Sequence, residues 1–168
     1  YTFKAGGRRF LVITLEFGPR DEVLAWAGKV AADHAECPGI VVTHNYMNFD
    51  NTRVGKGDKY NPHDYGCGGN DGEEMWEKFI SHQPNIFLVL SGHILDDGLG
   101  RLTSINKAGR PVHQVLANYQ MKPNGGNGWL RIITFDPVKG TIEFKTYSPV
   151  LDQFATDEQN AFVLPMNY

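Results

Sequence analysis

The chain has 168 residues, of which 41% are hydrophobic and 12% aromatic, enough apolar material for one compact domain with its own core. Charged residues make up 21% and the formal net charge is −3, so the composition offers neither a basic groove for nucleic acid nor a polybasic membrane tether. The longest apolar run, Ile86 to Leu90, falls far short of the roughly 20 residues a membrane-spanning helix needs and has the length of a buried strand.

Tyr1 is neither an initiator methionine nor part of a charged-then-apolar leader, and the expectation is a processed or truncated product. The compartment stays open, export from a bacterial cell included. Arg9 to Phe17 is a β-branched and aromatic run that predicts a buried strand ending at Gly18-Pro19. A helix is predicted next. Pro19 suits its first position, Asp21 and Glu22 suit the first turn, and Val23, Ala27, Val30 and Ala31 form an apolar stripe. After Cys37-Pro38-Gly39, Ile40 to Thr43 predicts a second buried strand that ends at His44. Residues 45–70 then turn to Gly, Asn, Asp, Tyr and His without a period, which suits a functional loop.

Asp71 and Glu74 have the spacing of a capping box, and Met75, Trp76, Phe79 and Ile80 give an apolar face, so a helix is predicted from Asp71 to about His82. Ile86 to Ser91 is the clearest buried strand and runs into Gly92-His93. Beyond Gly100, short strands alternate with turn signals: 102–105, 112–118, 129–135 and 141–147, with a last edge strand near Ala161 to Leu164. Together they predict an α/β mixed sheet followed by an antiparallel meander. Cys37 and Cys67 lack C-x-x-C spacing, so one disulfide and two free thiols are both open.

Two histidines follow buried strands of the α/β units: His44 in VVTHNYM and His93 in LVLSGHILDDG. Ligands of open α/β sheets sit outside the carboxyl ends of the strands, and neutral imidazoles converging there suit a divalent metal. Gly92 is expected to let the backbone turn and aim the His93 ring.

The order and spacing of these two blocks resemble the last two metal-binding blocks of calcineurin-like metallophosphoesterases. The stretches LEFGPRDEVLAWA (15–27), NDGEEMWEKFI (70–80), VHQVLANYQ (112–120) and GWLRIITFDP (128–137) are similar to a bacterial branch of that superfamily. The resemblance implies the C-terminal half of a four-layer αββα sandwich. In the complete enzyme, two divalent ions (Mn, Fe or Zn) bind a phosphoester and activate water for in-line attack at phosphorus. Carried over, His44 and His93 ligate one of those two ions.

The chain also departs from the family pattern. Where the family has G-H-x-H, this sequence reads Gly92-His93-Ile94-Leu95, and Leu95 cannot be a ligand. The blocks D-x-H, G-D-x-x-D and G-N-H are absent, and Gly57-Asp58-Lys59-Tyr60-Asn61 is only a superficial echo. His113, on a strand expected beside the one leading to His93, is a candidate replacement ligand. Tyr119 and Gln120 are candidate substrate contacts. Asp96 and Asp97 are read as solvated or capping residues, and His34, His63 and His82 receive no role. This chain alone should therefore hold one weak metal site or none and be inactive. Without the family's N-terminal half, the edge of the Arg9–Phe17 strand would be uncovered, so a partner is expected: the missing half or a second copy.

Two other readings stand beside this one. A non-catalytic binding module could grip a sugar or protein surface through Tyr46, Phe49, Tyr60 and Tyr65. Glycoside hydrolysis needs two opposed acids, and only the Asp96-Asp97 dipeptide is near.

Overall fold

The computed structural model describes residues 1–166. Its elements in chain order are β1 (Thr2–Ala5), β2 (Arg8–Thr14), α1 (Asp21–Asp33), β3 (Gly39–Val42), α2 (Gly72–Lys78), β4 (Ile86–Ser91), β5 (Leu99–Ile105), β6 (Pro111–Ala117), β7 (Leu130–Asp136), β8 (Thr141–Ser148), β9 (Gln153–Ala155) and β10 (Phe162–Pro165). Short 3₁₀ turns occupy Pro62–Tyr65 and Ile80–His82.

A six-stranded mixed sheet has the order β1-β2-β3-β4-β6-β5. β2, β3, β4 and β6 run parallel, and β1 and β5 are antiparallel edges. The carboxyl ends of the four parallel strands therefore share one rim. A second, antiparallel sheet has β8 at its centre, with β7 on one side and β9 and β10 on the other. No helix of the described residues is long and apolar enough to cross a membrane.

Alternation along the strands explains how three layers form. In β2, Leu11 and Ile13 point to the helix side while Phe10 and Val12 point to the second sheet. Both faces of that strand are apolar because both are covered. The helix-side core joins these residues to Leu24, Ala27 and Ala31 of α1 and Met75 of α2. The inter-sheet core packs Phe10, Phe87, Leu88 and Val115 against Ile142 and Phe144 of β8. A register shift between Gly39 and Ile40 lets Phe87 and Leu88 both enter this inter-sheet core.

Several sequence expectations need correction here. Pro19 lies ahead of α1, whose N-cap is Arg20, and Leu24 rather than Val23 is the stripe's buried member in the first turn. The predicted meander is divided: the β5–β6 hairpin completes the mixed sheet, and only β7 to β10 form the second one. The outer edge of β2 is taken by β1, a hairpin turning at Gly6-Gly7, both with positive φ. That edge therefore does not by itself call for a partner. Cys37 and Cys67 are free thiols, the first buried and the second exposed.

Candidate metal centre

The rim formed by the ends of β3 and β4 brings His44 and His93 together. The ladder continues past the strands: Thr43 N–H donates to Leu90 O at 3.0 Å, and Gly92 N–H donates to His44 O at 3.1 Å. These bonds tie the two histidine backbones to one another before any side chain is considered. Their rings meet with His44 Nε2 and His93 Nδ1 3.0 Å apart. In the neutral pair, one of these nitrogens carries a hydrogen and donates it to the other. With both lone pairs turned inward, the separation is short enough for the two nitrogens to share an ion at bonds of about 2.1 Å.

The bend at this rim belongs to His93, whose φ is +68°, rather than to Gly92 as the sequence suggested. Ile94 N–H donates to Gly92 O at 2.8 Å, closing a three-residue turn around the histidine. A positive φ on a non-glycine residue is costly, and three contacts hold it. Ile94 is fully buried, Asn118 Nδ2 donates to Ile94 O at 2.9 Å, and Asn118 N–H donates to Gly98 O at 2.7 Å. Burial, and then the neighbouring His44, push the His93 pKa below its ordinary value, which favours the neutral imidazole a metal requires.

Aromatic side chains wall the pair. The Phe17 ring lies 5.7 Å from His44 and 5.0 Å from His93, and Tyr60 stands edge-on to His93 at 6.3 Å. The Tyr65 hydroxyl is 3.2 Å from His93 Nε2. Asn45, beside His44, is fully buried; its Nδ2 donates to Tyr60 O at 2.8 Å while its Oδ1 has no partner. The sequence alone does not link Phe17 or Tyr65 to the histidines. Phe17 follows a strand that ends on the same rim, a usable signal, but Tyr65 comes from the aperiodic loop and gave none.

The other candidates are placed elsewhere. His113 sits mid-strand on the inter-sheet side with both ring nitrogens engaged, Nδ1 with Thr103 Oγ1 and Nε2 with Pro165 O, each at 2.8 Å. It is not a ligand at the His44–His93 rim, because its Nε2 hydrogen is donated to Pro165 O and its Nδ1 lone pair accepts from Thr103 Oγ1, which leaves neither nitrogen free for a metal. Tyr119 is also committed: its hydroxyl accepts from Arg131 Nη2 at 2.9 Å and contacts Thr146 Oγ1 at 3.0 Å, so it braces the second sheet instead of lining a substrate rim. Gln120 is exposed, with its N–H donating to Asn118 Oδ1. Leu95 is half-buried, and Asp97 Oδ1 accepts from Leu99 N–H as a capping residue does. Tyr46, expected on a gripping surface, is instead fully buried with its hydroxyl donating to Gln114 Oε1 at 2.9 Å.

Among the described residues, the His/Cys/Asp/Glu group of three whose ligand atoms come within 4.8 Å of one another is His63, Asp71 and Glu74, not one containing the rim pair. Those two carboxylates already form the capping box of α2, and His63 Nε2 lies 2.8 Å from Glu74 Oε2. The rim pair thus has no third ligand of these types at that range among the described residues.

No family model matches the chain, and no solved structure matches it. It is 30% identical over 155 residues to the Uncharacterized protein YvnB of Bacillus subtilis (strain 168), an alignment covering 86% of this chain and 10% of that protein. The chain therefore spans about a tenth of the length of the relative it matches.

Proposed function

We propose that this chain supplies the C-terminal histidine ligands of a dinuclear metallophosphoesterase centre, His44 and His93 binding one of two divalent ions (Mn, Fe or Zn). The observation that carries the reading is the 3.0 Å approach of His44 Nε2 to His93 Nδ1 on a rim where two parallel strands end. The layer order of helices, mixed sheet and antiparallel sheet supports it as three layers of an αββα sandwich. Bound ions would lower the pKa of water and stabilise charge on the attacking and leaving oxygens of a phosphoester. In this chain His44 Nε2 and His93 Nδ1 face each other, Phe17 packs on one side of both rings, and Asn118 keeps the strained His93 turn in place.

With no third His, Cys, Asp or Glu ligand at that range among the described residues, a carboxylate-bearing segment, from the N-terminal half of such an enzyme or from a second copy, has to complete the centre. Two histidines alone hold an ion weakly and cannot bridge two. The purified chain should bind Co²⁺, Mn²⁺ or Zn²⁺ weakly at about one ion per chain in calorimetric titration, and His44→Ala or His93→Ala should abolish it. On p-nitrophenyl phosphate and bis-p-nitrophenyl phosphate it should stay near background. Metal-dependent turnover abolished by His93→Ala would show a complete centre and overturn the fragment reading; metal binding indifferent to both histidines would overturn the site.

A further inference from the structure

Resting on that reading of His93 as a ligand, we infer that Tyr65 is a positioning residue whose hydroxyl oxygen selects the ring tautomer in which His93 can bind a metal. His93 meets a partner at each ring nitrogen: Nδ1 faces His44 Nε2 at 3.0 Å and Nε2 faces the Tyr65 hydroxyl at 3.2 Å. A neutral imidazole carries one hydrogen, so only one of the two nitrogens is available as a lone pair. If the hydrogen sits on Nδ1, it fills the space between the two histidines and no ion can be shared there. If it sits on Nε2, Nδ1 presents its lone pair beside His44 Nε2. The Nε2 hydrogen then needs an acceptor, and the Tyr65 oxygen is within reach. The phenolic hydrogen turns away towards solvent.

The placement of Tyr65 suits this task better than a packing role. The residue is 54% exposed, so burial does not hold it in place. It closes the 3₁₀ turn Pro62–Tyr65, whose cap Asn61 accepts from His63 N–H through Oδ1, and Gly66 with φ +68° ends the turn. Its ring stands edge-on to Phe17 at 5.1 Å, the same Phe17 that packs on both histidines. Ligating histidines commonly donate their second ring hydrogen to an oxygen that fixes tautomer and orientation, and loss of that oxygen lowers metal affinity about 10- to 100-fold.

Tyr65→Phe removes the oxygen and keeps the ring contacts, which separates orientation from aromatic packing. Two-bond ¹H–¹⁵N correlation spectra of the full chain should show the His93 hydrogen on Nε2 in the parent protein and a shift of the population to Nδ1 in Tyr65→Phe. Co²⁺ titration should show affinity at least about tenfold weaker in Tyr65→Phe than in the parent, with an unchanged thermal melt. An unaltered tautomer in Tyr65→Phe, or a parent tautomer already on Nδ1, overturns the inference. If the parent shows no Co²⁺ site dependent on His44 and His93, the ligand reading fails, and the inference about metal binding that rests on it fails too. If that site exists and Tyr65→Phe binds Co²⁺ as tightly as the parent, only the role of Tyr65 fails.

Discussion

Which residue takes the turn at the rim could not be read from the sequence, because Gly92 and His93 are adjacent and glycine is the usual choice for a left-handed bend. The structure gives the bend to His93, with φ +68°, because burying Ile94 and binding its carbonyl to Asn118 leave the histidine to absorb it. Two glycine substitutions check this assignment. A Cβ at Gly92 would meet Ala117 O at 3.6 Å and His44 O at 3.9 Å, ordinary contacts, so Gly92→Ala should change stability by less than about 1 kcal/mol. A Cβ at Gly98, φ +69°, would fall 1.9 Å from Asn118 O, so Gly98→Ala should cost more than about 2 kcal/mol. Urea unfolding of the pair measures both, and equal costs would mean that the rim is built differently. The same locality made His44 and His93 readable, since a histidine directly after a buried strand is visible in sequence. Tyr65 was not readable as their neighbour, because it arrives through a loop whose path no period encodes.

Elements whose signal is local were legible; those defined by their partners were not. The acid-x-x-Glu pattern at Asp71 placed the start of α2 correctly, and both reciprocal bonds of the box are present: Asp71 Oδ1 accepts from Glu74 N–H and Glu74 Oε2 accepts from Asp71 N–H, each at 3.0 Å. Asp71 also accepts from Asn61 Nδ2 through Oδ2 at 3.0 Å, so the cap pins the end of the long loop to the helix. Asp71→Ala should destabilise the chain by about 1–2 kcal/mol in urea unfolding, and Asp71→Asn should recover part of that. A loss below about 0.5 kcal/mol would mean that the loop, and not the cap, starts the helix. The β5–β6 hairpin reads locally like β7–β8, so its membership of the mixed sheet could not be seen from turns alone. The distinguishing signal lies in the faces: β6 is buried over Val112 to Leu116, as a central strand must be, whereas β8 alternates. Gly6-Gly7 carries the turn chemistry of the β1 hairpin, but β1 is exposed throughout and leaves no hydrophobic pattern to mark it as a strand.

At the scale of the whole molecule, the two sheets are joined by an apolar core and by one buried imidazole within it. His113 is 3% exposed; its Nε2 hydrogen is donated to Pro165 O of β10 while Nδ1 accepts from Thr103 Oγ1 of β5, so the neutral ring links both sheets. Burial pushes its pKa below the ordinary histidine value, and the bond to the Pro165 carbonyl offsets only part of that. Above about pH 6.5, the ordinary value, both folded and unfolded chains carry a neutral ring and this group makes stability independent of pH. As the pH falls below that value, the unfolded chain takes up a proton that the folded chain resists. Stability should then drop until the native pKa is reached. His93, also depressed, acts in the same direction, so the contribution of His113 has to be isolated by substitution. In His113→Gln the side-chain amide could still donate to Pro165 O and accept from Thr103 without titrating. Thermal melts of the parent and His113→Gln should therefore agree in their trend above about pH 7 and diverge between about pH 6.5 and 5, the parent losing more of its melting temperature on acidification. Parallel curves across that window would mean that the bond between the sheets survives protonation of the ring.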